Sequence, residues 1–400
     1  MYKGRAAMWR VASATCAAFV TATAVTSLPL GRVAAQQGQK PTFRAATQLI
    51  EIDVRVTDRD GRFITGLSQD DFSVFEDGEL RRIVGFSFVN IPMRSGQIEQ
   101  LEAGDSSLNA DGDRAVAGRT FVMLLDGPAA SPDHVLRMRN VARLFLDKVF
   151  GPADQMAVTF VKGKFQKHFE GREQEMVEQP FTTDRRAIEA AVDRLAPDTR
   201  AAKGVEGVIR TYETIEDISN RLGAMGGGRK TLVWMGGQVP FDPANDGAYK
   251  RRAAAIAFAY RDAIRAANRH NVAIYPIDLL GLTNRMTGPN DFLLGRNGEE
   301  LKRLAALRVV AEHTGGEAVV GTNNYAEMFT EIASHTSTYY LLGYQPAVEH
   351  CDGGFHTITV RVKRAGASVR ARRGYFAPEP SKSPPSANRD INSTSSRICQ

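Results

Sequence analysis

Five short apolar runs in the middle of the chain, alternating with stretches of helical spacing, restrict the fold more than any other feature. Phe121–Leu125, Met156–Val161, Thr231–Met235, Val272–Asp278 and Glu317–Val320 read as strands. Between the first two, His134–Phe150 places Val135, Met138, Val141, Phe145 and Val149 on one helical face. Arg185–Leu195, Val205–Met225, the alanine-rich Tyr249–Asn271, Glu299–His313 and Tyr325–His335 read as further helices, with Gly315-Gly316 closing the fourth of them. Strands that are apolar throughout are buried on both faces, which requires a mostly parallel sheet with helices on either side. A Rossmann-like α/β module is therefore expected.

The flanks follow a different rhythm. Ile50–Thr57 alternates strictly and runs into the turn Asp58-Arg-Asp-Gly61; Phe72–Glu76 and Arg82–Val89 follow as strands. At the other end Tyr339–Tyr344, Phe355–Lys363 and Ser368–Phe376 alternate in the same way. Neither set is long enough for a robust core alone, so the two are expected to join in one β-sandwich with the α/β module inserted between them. The expected order is a leader over 1–35, a first β segment over 43–90, a polar linker over 91–118, the module over 119–336, a second β segment over 337–377 and a disordered tail over 378–400.

The first 35 residues have the parts of a secretory signal: Lys3, Arg5 and Arg10, the apolar Val11–Leu30, then Val33-Ala34-Ala35. Cleavage after Ala35 and a secreted or periplasmic protein are expected, with no later segment apolar enough to span a bilayer. The formal charge of +6 falls to +2 once Lys3, Arg5, Arg10 and Arg32 leave with a signal that holds no acid. Such a balance gives no reason to expect nucleic-acid binding. Beyond Cys16 the cysteines are Cys351 and Cys399, a pair open to disulfide formation in an oxidising compartment but without Cys or His neighbours at metal-ligand spacing.

Asp70-Asp-Phe-Ser-Val-Phe-Glu-Asp-Gly78 near the start, with Tyr339-Tyr-Leu-Leu-Gly-Tyr344, Gly354-Phe-His-Thr-Ile-Thr-Val-Arg-Val-Lys363 and Arg372-Arg-Gly-Tyr-Phe376 near the end, resembles the von Willebrand factor A-related proteins of acidobacteria. The resemblance spans roughly Phe43 to Ala377. It implies an exported protein with an A-type domain, and it brings no established enzymatic activity.

A-type domains hold Mg²⁺ through an Asp-x-Ser-x-Ser loop, a threonine from a second loop and an aspartate after a later strand, a set of oxygen ligands suited to a hard cation. The matching loop here is Asp126-Gly-Pro-Ala-Ala-Ser131. Asp126 is kept, but Pro128 and Ala130 replace both serines and Ser131 is one residue out of register. Thr199, beside Asp198, is the candidate threonine. Gly236-Gly237 stands where the last aspartate is expected, and Asp242 lies further along that loop. Asp278 is a second strand-end carboxylate on the same sheet edge. The adhesion site thus reads as degenerate, with no cofactor beyond a weakly held Mg²⁺ or other divalent cation. Two simpler roles stay open for Asp126, capping the next helix or accepting from loop amides.

Other motifs fail on context. Gly226-Gly-Gly-Arg-Lys-Thr231 lies between a helix and a strand, the reverse of a phosphate loop, and lacks its glycine spacing. No Gly-x-Ser-x-Gly elbow or His-Glu-x-x-His pair occurs. Trp234 reads as core. The preferred function is protein or peptide binding, as an adhesion or scaffold module without enzymatic activity. The alternative is an envelope hydrolase or metal-dependent enzyme using Asp126, Asp242 or Asp278.

Overall fold

The apolar runs become the centre of a twisted sheet in a computed structural model, which describes residues 49–91, 118–126, 131–161, 177–197, 204–225, 229–236, 250–280, 296–346 and 352–378. The signal segment, nearly all of the linker, the tail beyond Pro378, Cys351, Cys399 and the loops carrying Pro128, Ala130, Thr199, Gly237 and Asp242 lie outside the described residues. The strands are β1 (Ile50–Thr57), β2 (Phe72–Glu76), β3 (Glu79–Arg81), β4 (Ile83–Asn90), β5 (Thr120–Leu125), β6 (Gln155–Phe160), β7 (Val177–Thr182), β8 (Lys230–Gly236), β9 (Val272–Asp278), β10 (Thr338–Tyr344), β11 (Phe355–Val362), β12 (Ser368–Arg370) and β13 (Gly374–Phe376). The helices are α1 (Pro132–Lys148), α2 (Arg185–Asp193), α3 (Gly204–Gly223), α4 (Lys250–Arg269), α5 (Arg296–Thr314) and α6 (Tyr325–Ser337).

The middle of the chain forms a five-stranded sheet in the order β7-β6-β5-β8-β9. β5 pairs in parallel with β6 and β8, and β8 with β9, as uniformly apolar strands require. Its two faces carry separate cores. Phe121, Met123 and Leu125 of β5 pack with α1, α2 and α6, whereas Val122 and Leu124 pack with α3, α4 and α5. This is a Rossmann-like α/β arrangement. The chain moves from β5 to β6 on one side and crosses back to β8 on the other, so the topological switch lies between β5 and β8.

Four elements differ from the sequence reading, the first being β3, an additional short strand that pairs with β2. β7 is an additional, antiparallel edge strand with two irregularities in its register, a position that tolerates Pro180 because an edge N–H has no ladder partner to lose. Glu317–Val320 does not form a strand; Val319 alone bridges Ile277. Ser368–Phe376 is divided: β12 pairs with β1, and after Ala371–Arg373 the chain changes sheets so that β13 pairs with β11.

The flanking strands build two four-stranded sheets, β12-β1-β10-β4 and β13-β11-β2-β3, each drawing strands from both ends of the chain. Ile50, Ile52, Val54 and Val56 supply the inward face of β1 and share a core with Phe72, Val74, Tyr340, Leu342, Tyr344 and Ile358 from the other strands. Glu76 is fully buried there, accepting from Tyr344 and Tyr375 at 3.0 and 2.8 Å and from Arg81 at 2.9 Å.

Arg119 ties the first strand of the α/β module to its last helix. It forms a buried ion pair with Asp154 at 2.5 Å, and its Nη1 donates to the Ala333 carbonyl and the hydroxyls of Thr336 and Ser337. Arg229, at the start of β8, reaches Asp53 of β1 at 3.2 Å and donates to the Tyr275 hydroxyl at 2.8 Å and the Gly315 carbonyl at 2.9 Å.

Candidate functional site

The C-terminal edge of the parallel sheet places two acids and a glycine in one row. Leu125 is level with Met235, Met235 with Ile277, and Gly236 with Asp278. Asp126 follows Leu125 and continues the ladder by donating its N–H to the Met235 carbonyl at 2.8 Å. The row therefore reads Asp126, Gly236, Asp278, with the outer Cα atoms about 10 Å apart at ordinary strand spacing. It lies at the switch between β5 and β8, where ligand sites of open α/β sheets form.

The two acids have different environments. Asp278 is fully buried and paired with Arg303 of α5, whose Nη1 and Nη2 donate to its two oxygens at 2.6 and 3.2 Å. Its Oδ1 also accepts from the Leu280 N–H at 3.0 Å, and its carbonyl accepts from the Tyr325 hydroxyl at 2.9 Å. That bidentate pair holds the start of the loop after β9 against α5 and neutralises the charge.

Asp126 has only uncharged donors on its Oδ2: the Thr211 hydroxyl of α3 at 3.0 Å and the Trp234 indole N–H of β8 at 3.3 Å. Among the described residues no Lys or Arg forms an ion pair with it. The residue keeps some solvent access, yet loss of water around the carboxyl dominates and pushes its pKa up to about 6, against the lowering effect of the two hydrogen bonds. A carboxyl in this state can accept a proton near neutral pH or take up a cationic partner.

Neither Thr211 nor Trp234 is among the sequence-derived site residues. Thr211 lies inside a helix, where its hydroxyl also meets the Gly207 carbonyl at 3.1 Å. Trp234 is fully buried, as its apolar strand implies, and packs edge-on against Tyr212 at 6.3 Å. Its indole N–H was the available signal, because a buried Trp needs an acceptor and Asp126 ends the neighbouring strand.

Gly236 has a steric reason to be glycine. A Cβ there would sit 2.7 Å from the Asp126 Cβ and 3.1 Å from its carbonyl oxygen. An aspartate at this position would collide with Asp126 before it could join it around a metal. Ser131 occupies the N-cap position of α1, in front of Pro132, and its side chain makes no capping hydrogen bond. Asp126 and Asp278 are thus brought to one edge, Ser131 begins the helix that follows, and Thr199 and Asp242 lie outside the described residues. Among the described residues no group of three or more His, Cys, Asp or Glu side chains is arranged to hold a metal, and no helix is long and apolar enough to cross a membrane.

No family model matches the chain, and no curated protein matches it. Among solved structures it is similar to a von Willebrand factor type A protein from Catenulispora acidiphila, at 10% identity over 84% of this chain and 76% of that one, with a TM-score of 0.34. It is also similar to proximal thread matrix protein 1 from the mussel byssus, at 12% identity over 55% of this chain, with a TM-score of 0.30. The chain spans 48% of the length of that mussel protein.

Proposed function

We propose that this chain is an exported von Willebrand factor A-type binding module, seated on a β-sandwich formed by its two flanking segments, and that it engages a protein or peptide through the sheet edge at Asp126 without enzymatic activity. The observation that carries the reading is the row Asp126–Gly236–Asp278, in which one acid is neutralised by Arg303 and the other is left to uncharged donors. An edge of this kind offers one under-compensated carboxylate to a basic or hydrogen-bonding group on a partner. It also has a glycine where a complete adhesion site needs an acid, which favours metal-free contact over Mg²⁺-mediated adhesion.

The raised pKa of Asp126 is the one observation that favours an enzyme, since a carboxyl near neutrality can act as acid or base. Against it, Asp278 is held by Arg303 and stands about two strand spacings away. The test compares the purified protein with Asp126→Ala, first in melts with Mg²⁺, Mn²⁺ or Ca²⁺ and then in capture from envelope extracts. A partner retained by the wild type and lost by the variant, with melts indifferent to metal, is expected. Equal capture by both proteins removes Asp126 from the binding surface, and a metal-dependent melt seen only in the wild type restores the adhesion-site reading.

A further inference from the structure

The seam between the end of α4, the start of β1 and β13 encloses a cavity of about 140 Å³, distant in sequence from the Asp126 row. Arg265, Arg269, Arg372, Asn268 and Asn271 line it, against one acid, Glu51. Among its donors, Nε of Arg372 and Nδ2 of Asn268 are buried without a hydrogen-bond partner. These side chains belong to residues only 6% and 9% exposed. A buried donor with no acceptor carries its full desolvation cost, so such a pair in one cavity calls for an explanation.

Nearby groups do not fill the role. Nη1 of Arg372 donates to the carbonyl and Oδ1 of Asn268 at 3.1 and 3.2 Å, which occupies the amide oxygen and leaves its NH₂ unmatched. Glu51 accepts instead from Asn271 at 3.4 Å, Arg265 is bound to Asp262 at 3.1 Å, and Asp53 pairs through Oδ2 with Arg229 while its Oδ1, which acts on Arg372 through its charge, makes no hydrogen bond to it. Arg269 is exposed at the end of α4. Burial lowers the pKa of Arg372 despite the surrounding acids, so its charge is under-compensated. An acceptor carrying negative charge would satisfy both orphaned donors at once. The volume admits a tetrahedral ion and excludes a drug-sized or nucleotide ligand, which needs roughly 300 Å³ or more.

We propose that this seam cavity is a binding site for a phosphate-sized oxyanion, held by Nε of Arg372 and Nδ2 of Asn268 with Arg269 at its mouth. The ion would bridge α4 to the link between β12 and β13 and so hold the helix against the flanking strands.

The experiment follows calorimetric binding and thermal melts of the full protein with inorganic phosphate, with chloride and acetate at matched ionic strength. Saturable binding of phosphate is expected, with a melt that rises with phosphate and not with chloride. Arg269→Ala, at an exposed position, should weaken binding at least tenfold and leave the phosphate-free melt unchanged. Asn268→Asp supplies its own negative acceptor beside Arg372, so it should fold as well as the wild type and lose phosphate binding. Equal effects of phosphate and chloride overturn the proposal, as does undiminished phosphate binding by Asn268→Asp. A response to acetate alone overturns it in favour of a carboxylate site.

Discussion

Asp126→Asn is expected to stabilise the protein at neutral pH, although it removes the charge at the centre of the proposed surface. Burial raises the pKa of Asp126 from 3.8 to about 6 in the fold. Each pKa unit corresponds to about 1.4 kcal/mol, so keeping this carboxyl ionised at pH 7.5 costs the native state about 3 kcal/mol. The native state holds the proton more tightly than the unfolded chain does. The cost is therefore absent below about pH 4, where both states are protonated, grows between about pH 4 and 6, and is constant above. Asparagine resembles the protonated acid, and its carbonyl can still accept from Thr211 and Trp234. Urea unfolding of wild type and variant, in chelator so that no cation compensates the charge, should show no difference at pH 4. The variant should be more stable by about 3 kcal/mol at pH 7.5, or on the order of 5 °C in Tm. A difference independent of pH, or a less stable variant at pH 7.5, would refute the claim that Asp126 is ionised at a cost.

Gly236→Ala should destabilise by about 1–3 kcal/mol in urea, because its methyl group meets the Cβ of Asp126 at 2.7 Å; combining it with Asp126→Gly should recover most of the loss. Asp278→Ala leaves Arg303 buried without its carboxylate and should cost about 3–5 kcal/mol by denaturant unfolding, whereas replacing both members with apolar residues should cost much less. Thr211→Val removes one donor to Asp126 and should move its NMR titration above that of the wild type, at a cost of about 1 kcal/mol in stability at neutral pH. Glu317 is held down to about 2 against the opposing effect of burial by His335 Nδ1 at 2.7 Å and Arg370 at 2.8 Å; burial lowers the pKa of His335, so at pH 7 the charge that acts on Glu317 is that of Arg370. Glu317→Gln should therefore lower stability at pH 7, by less than the about 3 kcal/mol that the whole shift corresponds to, and converge on the wild type as pH falls from about 4.5 towards 2, where the native carboxylate itself is lost.

Much of the architecture is legible because burial writes a period into the sequence. The strictly alternating Ile50, Ile52, Val54 and Val56 face one core, and the unbroken Phe121–Leu125 run is covered on both sides. Edges are less legible. β7 carries Pro180 and little apolar pattern, since an edge strand needs neither a full ladder nor two buried faces. The division of Ser368–Phe376 is hidden for a different reason: a strand that changes sheets can keep its alternation through the crossing, and only pairing partners reveal the break. At the site, the position of Asp126 follows from the end of an apolar strand, but its partners do not. Thr211 sits 85 residues further on and Trp234 108 residues on, and only the packing of α3 and β8 against β5 brings them to one oxygen.

The two ends of the parallel sheet treat a buried charge in opposite ways. At the N-terminal edge Arg119 is buried and its fork is filled by Asp154, two hydroxyls and carbonyl oxygens from Val149 and Ala333. A lysine could not satisfy that arrangement, because an ammonium lacks the planar set of donors that reaches several acceptors at once. The same contacts hold Thr120–Leu125 beside the end of α6. At the C-terminal edge Asp126 sits under-compensated beside a glycine that no side chain can replace without moving it. A fold that satisfies its buried cation at one end and leaves a carboxylate short of charge at the other carries a destabilising group at the edge where the proposed binding surface lies, a local cost to stability of the kind that functional sites carry.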